Sequence, residues 1–228
     1  MKKILVIGHR GASGYVLENS LESFKKAIKM GVDEVEFDIR RTKDGKAIVM
    51  HDAKLNRTTN GRGVIKKLTL KEIRRFRMEN GEIIPTLEEV LLVLKNKIGC
   101  TIEVKDYGLE KEIVRLIKKL KVKNWVIVGS FKKTVIKKVK KLMPEARTQL
   151  IADRVFSVRH FIKKSLSLGA SIIALDYKKI SKKFIDVAHK NNLKVYVWTV
   201  NDRKIANKMR RLGVDGMEGN YPDRLNQI

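Results

Sequence analysis

The stretch SIIALDYKKISKKFIDVAHKNNLKVYVWT, residues 171–199, holds the unit from which the whole chain is built. Ser171–Leu175 reads as a strand, Lys182–Asn191 as a helix and Lys194–Thr199 as the next strand. Working towards the N-terminus, the same unit recurs at Arg147–Ile151 with Val158–Leu168, Trp125–Val128 with Thr134–Leu142, and Gly99–Val104 with Glu110–Leu120. Towards the C-terminus it continues with a helix at Arg203–Leu212 and a last strand at Val214–Met217. At the start, Ile4–Gly8 is a short apolar run. Asn19 is placed to cap a helix, with Glu22 as its box partner, that buries Leu21, Phe24, Ala27 and Ile28 and ends near Gly31. A second strand follows. Strand–helix alternation repeated in this way predicts a closed parallel (β/α)8 barrel of the TIM type. The competing fold, a doubly wound open sheet, expects a Gly-x-Gly-x-x-Gly turn after the first strand, and that turn is missing. No shift of composition marks a boundary, so residues 1–228 are expected to form a single domain.

Composition narrows the class. The hydrophobic fraction of 43% is enough for an ordinary core. No apolar run approaches the length of a membrane span, and the apolar part of MKKILVIGHR is too short for a signal peptide, so the cytoplasm is the expected compartment. The single cysteine, Cys100, is expected in the core, consistent with a reducing interior. The formal charge of +26 raises a basic nucleic-acid-binding barrel as an alternative class. Lysines, however, lie along nearly every predicted helix rather than on one tail or helix, and no zinc-finger spacing or aromatic RNA-binding box is present, so a nucleic-acid partner is not expected. Lysine-rich helices with one cysteine also suit a thermophile.

The second strand carries the chemistry. In VDEVEFDIRRTKDGKAIVMHD, residues 32–52, a strand leads through a tight turn at Lys43–Lys46 into a short extended run ending in His51. Val35, Phe37 and Ile39 share one face, and Glu34, Glu36, Asp38 and Arg40 the other. Barrel enzymes carry their reacting groups at the carboxyl ends of strands. There this chain has His9-Arg10, then Glu36 and Asp38 leading to His51-Asp52, then Glu103 with Lys105 two places on, and further round Ser130-Phe131, Asp176 and Trp198–Asn201. Carboxylates gathered so closely resist ionising together unless a cation neutralises them. Oxygen-only donors suit one hard divalent ion, Mg²⁺ or Ca²⁺. Arg10 and Lys105 offer positive charge to a phosphate, and His9 and His51 are suited to proton transfer. The sum is a site for metal-assisted hydrolysis of a phosphate ester. His160 and His189, on helices, are expected at the surface.

His9-Arg10-Gly11, Glu18-Asn19-Ser20, Glu36-Phe37-Asp38, Thr42–Gly45, His51-Asp52, Leu55-x-Arg57-Thr58-Thr59-x-Gly61 and Ile84–Leu87 together resemble the glycerophosphodiester phosphodiesterase family. Glu103–Lys105, Ser130-Phe131, Val197–Asn201 and Gly213–Gly216 extend the likeness to the C-terminus. The resemblance implies a β/α barrel with an insertion after the second strand, here 53–84 and short, that hydrolyses glycerophosphodiesters to an alcohol and glycerol phosphate. It also implies metal ligation by Glu36, Asp38 and Glu103, acid–base roles for His9 and His51, phosphate contacts from Arg10 and Lys105, and a glycerol subsite lined by Trp198 and Phe131. A lysophospholipase D acting on single-chain lipids is the alternative within the same chemistry. Near the end the chain departs from the family pattern: Glu218 stands at a usually apolar place and Gly219 where threonine is usual.

Overall fold

Among the described residues nine strands form one sheet in the order β1-β9-β8-β7-β6-β5-β4-β2-β3, and pairing of β1 with β2 closes it. The computed structural model describes residues 3–226; the ends of the predicted 1–228 domain lie outside the described residues. The strands are β1 (Leu5–His9), β2 (Glu34–Arg41), β3 (Ala47–Val49), β4 (Gly99–Val104), β5 (Val126–Ser130), β6 (Arg147–Ala152), β7 (Ile172–Asp176), β8 (Lys194–Trp198) and β9 (Gly216–Gly219). All barrel pairings are parallel, and β3 alone is antiparallel, folded back on the far end of β2 with Ile39 opposite Val49. The helices are α1 (Leu21–Lys29), α2 (Leu70–Ile73), α3 (Leu87–Leu94), α4 (Glu110–Leu120), α5 (Lys133–Leu142), α6 (Val158–Ser167), α7 (Lys182–Lys190) and α8 (Arg203–Leu212). The (β/α)8 TIM barrel expected from the alternation is therefore the fold.

Alternation along the strands sorts side chains into two cores. Val35, Phe37 and Ile39 of β2 and Cys100, Ile102 and Val104 of β4 face outward and are buried under the helices. The helices meet them with their apolar stripes, such as Ile113, Val114 and Ile117 on α4. The inward-facing set is smaller: Ile7, Ile127, Ile151, Ile172, Ala174 and Tyr196 fill the middle of the barrel. Above and beside these stand inward carboxylates, which an all-apolar barrel would not hold. A third cluster, Ile48, Met50, Leu55, Ile65, Ile73, Met78 and Ile84, packs the insertion onto β3 and the residues just after it.

Local expectations needed four corrections. The cap of α1 is Ser20, whose hydroxyl accepts from Ser23 N, not Asn19. Glu22 is not its box partner. Instead the carboxylate of Glu82, from the insertion, accepts from the backbone N–H groups of Leu21 and Glu22 at 2.8 and 3.0 Å. Within the insertion α2 is a single turn, held by a capping box of Thr69 and Glu72. β5, β7 and β9 run one to two residues further than their apolar runs, because register with neighbours carries pairing as far as Ser130 opposite Leu150 and Asp176 opposite Trp198. His189 is half-buried rather than a plain surface residue, its Nε2 lying 2.7 Å from Asp215 Oδ2.

Candidate active site

Strand register assembles the site. In a parallel pair, residues directly opposite each other present their side chains on the same face. β1 pairs with β2 so that His9 is opposite Glu36, and β2 pairs with β4 so that Asp38 is opposite Glu103. Two adjacent pairings thus bring one imidazole and three carboxylates to the carboxyl-end mouth. A ligand oxygen from each of Glu36, Asp38 and Glu103 lies within 4.8 Å of the other two. All three residues are buried, Asp38 being 1% exposed.

Burial without compensation would cost several kcal/mol per ionised carboxylate, so their surroundings decide their state. Lys105 Nζ lies 2.9 Å from Asp38 Oδ1 and 2.5 Å from Glu103 Oε1. Arg10 Nε lies 3.2 Å from Asp38 Oδ2. Asn19, in a left-handed backbone conformation (φ 58°), donates from Nδ2 to Asp38 Oδ2 at 2.9 Å and accepts from Asp38 N–H at 3.2 Å. Burial pushes the Asp38 carboxyl up, but Lys105 and then Arg10 outweigh it and hold it below the ordinary carboxylate range. Glu36 and Glu103 go the other way. Burial, then the neighbouring charge of Asp38, raises Glu36 well above its usual value, and burial raises Glu103 against the pull of Lys105. Glu36 Oε1 is buried without a hydrogen-bond partner among the described residues. A buried oxygen without a donor, in a cluster of oxygens alone, fits a hard divalent cation.

The two histidines stand in unlike settings. His9 Nδ1 lies 2.7 Å from Asn220 Oδ1, an amide oxygen that also accepts from Ser13 Oγ at 3.1 Å. Asn220 is itself fixed by Asn201, whose Oδ1 accepts its backbone N–H at 2.8 Å. Burial first, and the Arg10 charge second, hold His9 down to about 4. His51 Nδ1 instead lies 2.8 Å from Asp52 Oδ1. Asp52 is gripped by Arg57, which donates from Nε to Oδ2 at 2.7 Å and keeps the carboxyl far below its ordinary value. Arg57 also donates to Glu18 Oε1 at 2.7 Å, and Arg10 donates to the same oxygen at 2.9 Å. A chain of charged hydrogen bonds, His51–Asp52–Arg57–Glu18–Arg10, continued to Asp38 by the Arg10–Asp38 ion pair, therefore ties the insertion to the loop after β1.

These groups open into a cavity of about 280 Å³ lined by His9, Arg10, Glu36, His51, Glu103 and Lys105 together with Phe131, Trp198 and Glu218. Phe131 and Trp198 meet edge to face at 6.1 Å between ring centroids, and Lys105 Nζ is 5.9 Å from the Phe131 ring. Every residue singled out for catalysis, phosphate, glycerol or metal thus lines this cavity or, for Asp38, borders it. Asp176 is outside this group; its carboxylate accepts from Lys178 N–H at 2.9 Å and caps a turn.

The departures in the last strand have local reasons. Glu218 faces the barrel interior, 3.5 Å from Gln149 Nε2, and burial pushes its carboxyl up to about 8. Gly219 is required by sterics: a Cβ there would sit 2.2 Å from the Val200 carbonyl oxygen, where the chain leaving β8 crosses β9. Residue reasoning gave Asn19 only a helix cap, and gave no role in the site to Asn220, Glu18 or Arg57. Glu18, Asn19 and Arg57 fall inside quoted motifs, whereas only the closed barrel brings Asn220 to His9.

Comparison with known proteins agrees with this fold. The profile of the Glycerophosphoryl diester phosphodiesterase family matches residues 9–224. The chain is similar to the glycerophosphodiester phosphodiesterase of Caldanaerobacter subterraneus subsp. tengcongensis, 33% identical over 98% of this chain and 96% of that protein. Among solved structures, a phosphodiesterase of Oleispira antarctica in complex with the product sn-glycerol-3-phosphate superposes with a TM-score of 0.87 at 27% identity, covering 97% of this chain and 94% of the other. A glycerophosphodiester phosphodiesterase of Thermotoga maritima gives 0.85 at 28% identity, covering 98% and 97%.

Proposed function

The chain belongs to the glycerophosphoryl diester phosphodiesterase family, and on that premise we propose that it hydrolyses glycerophosphodiesters to an alcohol and glycerol phosphate. The observation that carries the reading is the trio Glu36, Asp38 and Glu103, with oxygens within 4.8 Å of one another, beside two imidazoles and two cationic side chains in one cavity. A divalent cation held by the trio would supply Lewis-acid stabilisation to a non-bridging phosphate oxygen. Arg10 and Lys105 share the developing negative charge. Trp198 and Phe131 give the glycerol carbon chain an apolar wall.

The partners of the two histidines divide the proton work. Asn220 Oδ1 accepts the Nδ1 proton of His9, and an amide does not stabilise an imidazolium as a carboxylate does. His9 is therefore the neutral imidazole whose Nε2 lone pair takes the proton of the attacking oxygen. Asp52 stands behind His51 as a carboxylate and fixes the orientation of its ring. His51 then gives a proton to the leaving alkoxide as the P–O bond breaks. Burial of the cluster strengthens each of these interactions relative to water.

Hydrolysis of glycerophosphocholine, glycerophosphoethanolamine, glycerophosphoglycerol and a lysolipid, each with and without added Mg²⁺ or Ca²⁺, tests the reading. Release of glycerol phosphate that stops on chelation is expected. His51→Ala is expected to lose about two to four orders of magnitude in turnover. Activity that survives exhaustive EDTA treatment removes the metal from the mechanism.

A further inference from the structure

Among the described residues five aromatic side chains are exposed: Tyr15 44%, Tyr107 55%, Trp125 37%, Phe131 38% and Phe156 97%. Four of them follow the carboxyl ends of strands, after β1, β4, β5 and β6, on the face that carries the cavity. Trp125 alone lies at the opposite end, just before β5. Phe156 stands almost wholly in water on the β6–α6 connection, where it contributes nothing to the core. The exposed aliphatic side chains Ile83, Leu92, Leu142 and Leu166 lie on the insertion and on α3, α5 and α6; it is the aromatic rings that gather on one face, and such a gathering marks a contact surface.

Cations are interleaved with these rings. Lys132 Nζ lies 4.9 Å from the Tyr107 ring centroid, and Arg154 and Lys179 are exposed on the connections after β6 and β7. The carboxylates near these rings are held in local contacts: Asp176 caps its turn, Asp106 pairs with Arg40 at 3.1 Å, Asp223 accepts from the Tyr15 hydroxyl at 2.8 Å, and Asp153 lines the cavity. Aromatic rings that bury shallowly, set among lysines and arginines, match the headgroup layer of a membrane carrying negative charge. A single nucleic-acid strand would also satisfy cations and stack on rings. Such a strand follows one groove, whereas these rings sit on four separate connections around a mouth, an arrangement that a plane meets more readily than a line.

We propose that the rim of the catalytic face docks on an anionic phospholipid bilayer, with Phe156 inserted at the headgroup level. Docking would hold the cavity against the surface where glycerophospholipids reside. Docking is a property of the surface and is independent of which diester is cleaved.

The test is co-sedimentation of the full chain with vesicles of phosphatidylcholine alone and of phosphatidylcholine with phosphatidylglycerol. Phe156→Ser and, at the far end, Trp125→Ser are compared with the unaltered protein, and hydrolysis of soluble glycerophosphocholine is followed in parallel. Expected are binding to the anionic vesicles, a loss of about tenfold or more in Phe156→Ser, no loss in Trp125→Ser, and unchanged hydrolysis of the soluble diester in both. Equal binding of Phe156→Ser and the unaltered protein would show that the +26 charge alone attracts the vesicles, and would overturn the proposal. A loss confined to a single-stranded oligonucleotide probe, with vesicle binding unchanged, would overturn it in favour of nucleic acid.

Discussion

Replacing Lys105 by Met should make the stability of this protein depend on divalent cations far more steeply than it does now. Lys105 Nζ sits 2.9 Å from Asp38 Oδ1 and 2.5 Å from Glu103 Oε1, with its side chain 16% exposed. At an effective dielectric of about 20, the attraction at the longer of these distances is about 6 kcal/mol before desolvation of the ammonium is subtracted. Removing one partner of a buried pair typically costs about 3–5 kcal/mol net, because the charges left behind lose their compensation. For a chain of this size that loss lowers Tm by about 6–20 °C. Methionine keeps the length and apolar stem, so the change isolates the charge. In EDTA the full deficit is expected by thermal denaturation. A cation bound by Glu36, Asp38 and Glu103 neutralises the same carboxylates, and at about a hundred times its Kd it returns about 2.7 kcal/mol to any protein that binds it only when folded. Without Lys105 the site is more negative and binds the cation more tightly, so saturating Mg²⁺ or Ca²⁺ should close at least half of the gap. A Tm deficit of equal size with and without the cation would refute the reasoning, since the carboxylates would then not share a cation with Lys105.

Three further outcomes are expected. Asn220→Ala removes the acceptor that fixes the His9 ring; kcat should fall about ten- to a hundredfold with KM little changed, and Asn220→Asp, which keeps an acceptor, should recover part of it. Glu218→Gln should raise Tm, with a gap that depends on pH. The Glu218 carboxyl titrates near 8 in the fold against an ordinary 4.5, so between those values the unfolded chain holds fewer protons than the native one. The stability of the unaltered protein therefore falls as pH rises through that window and levels off above it. The advantage of Gln should grow between about pH 5 and 8, and a gap independent of pH in thermal melts would contradict this. Gly219→Ala places a Cβ 2.2 Å from the Val200 oxygen and should cost about 1–3 kcal/mol in chemical denaturation, with the strand forced to shift.

The alternation of apolar runs and helical stripes was enough, by itself, to establish the barrel, because periods of two and of 3.6 are local properties of a chain. Polar placement was legible for the same reason. Glu36 and Asp38 share a face by alternation alone, and Glu103 and Lys105 repeat the spacing on the next barrel strand. What the sequence could not supply was every relation that crosses the barrel. Asn220 reaches His9 across 211 positions, and only closure of β9 on β1 makes them neighbours. Asn19 looked like a helix cap because its residue type and position allow it. In the fold Ser20 takes that task, and the left-handed turn at Asn19 aims its amide at Asp38. Gly219 looked like a lost threonine until the Val200 carbonyl was seen to occupy the space of its missing side chain. Residue types and local periodicity thus decided which groups the mouth would hold. Register, closure and burial decided which groups touch, which imidazole is backed by an amide and which by a carboxylate, because those are set by through-space distances that sequence order does not encode.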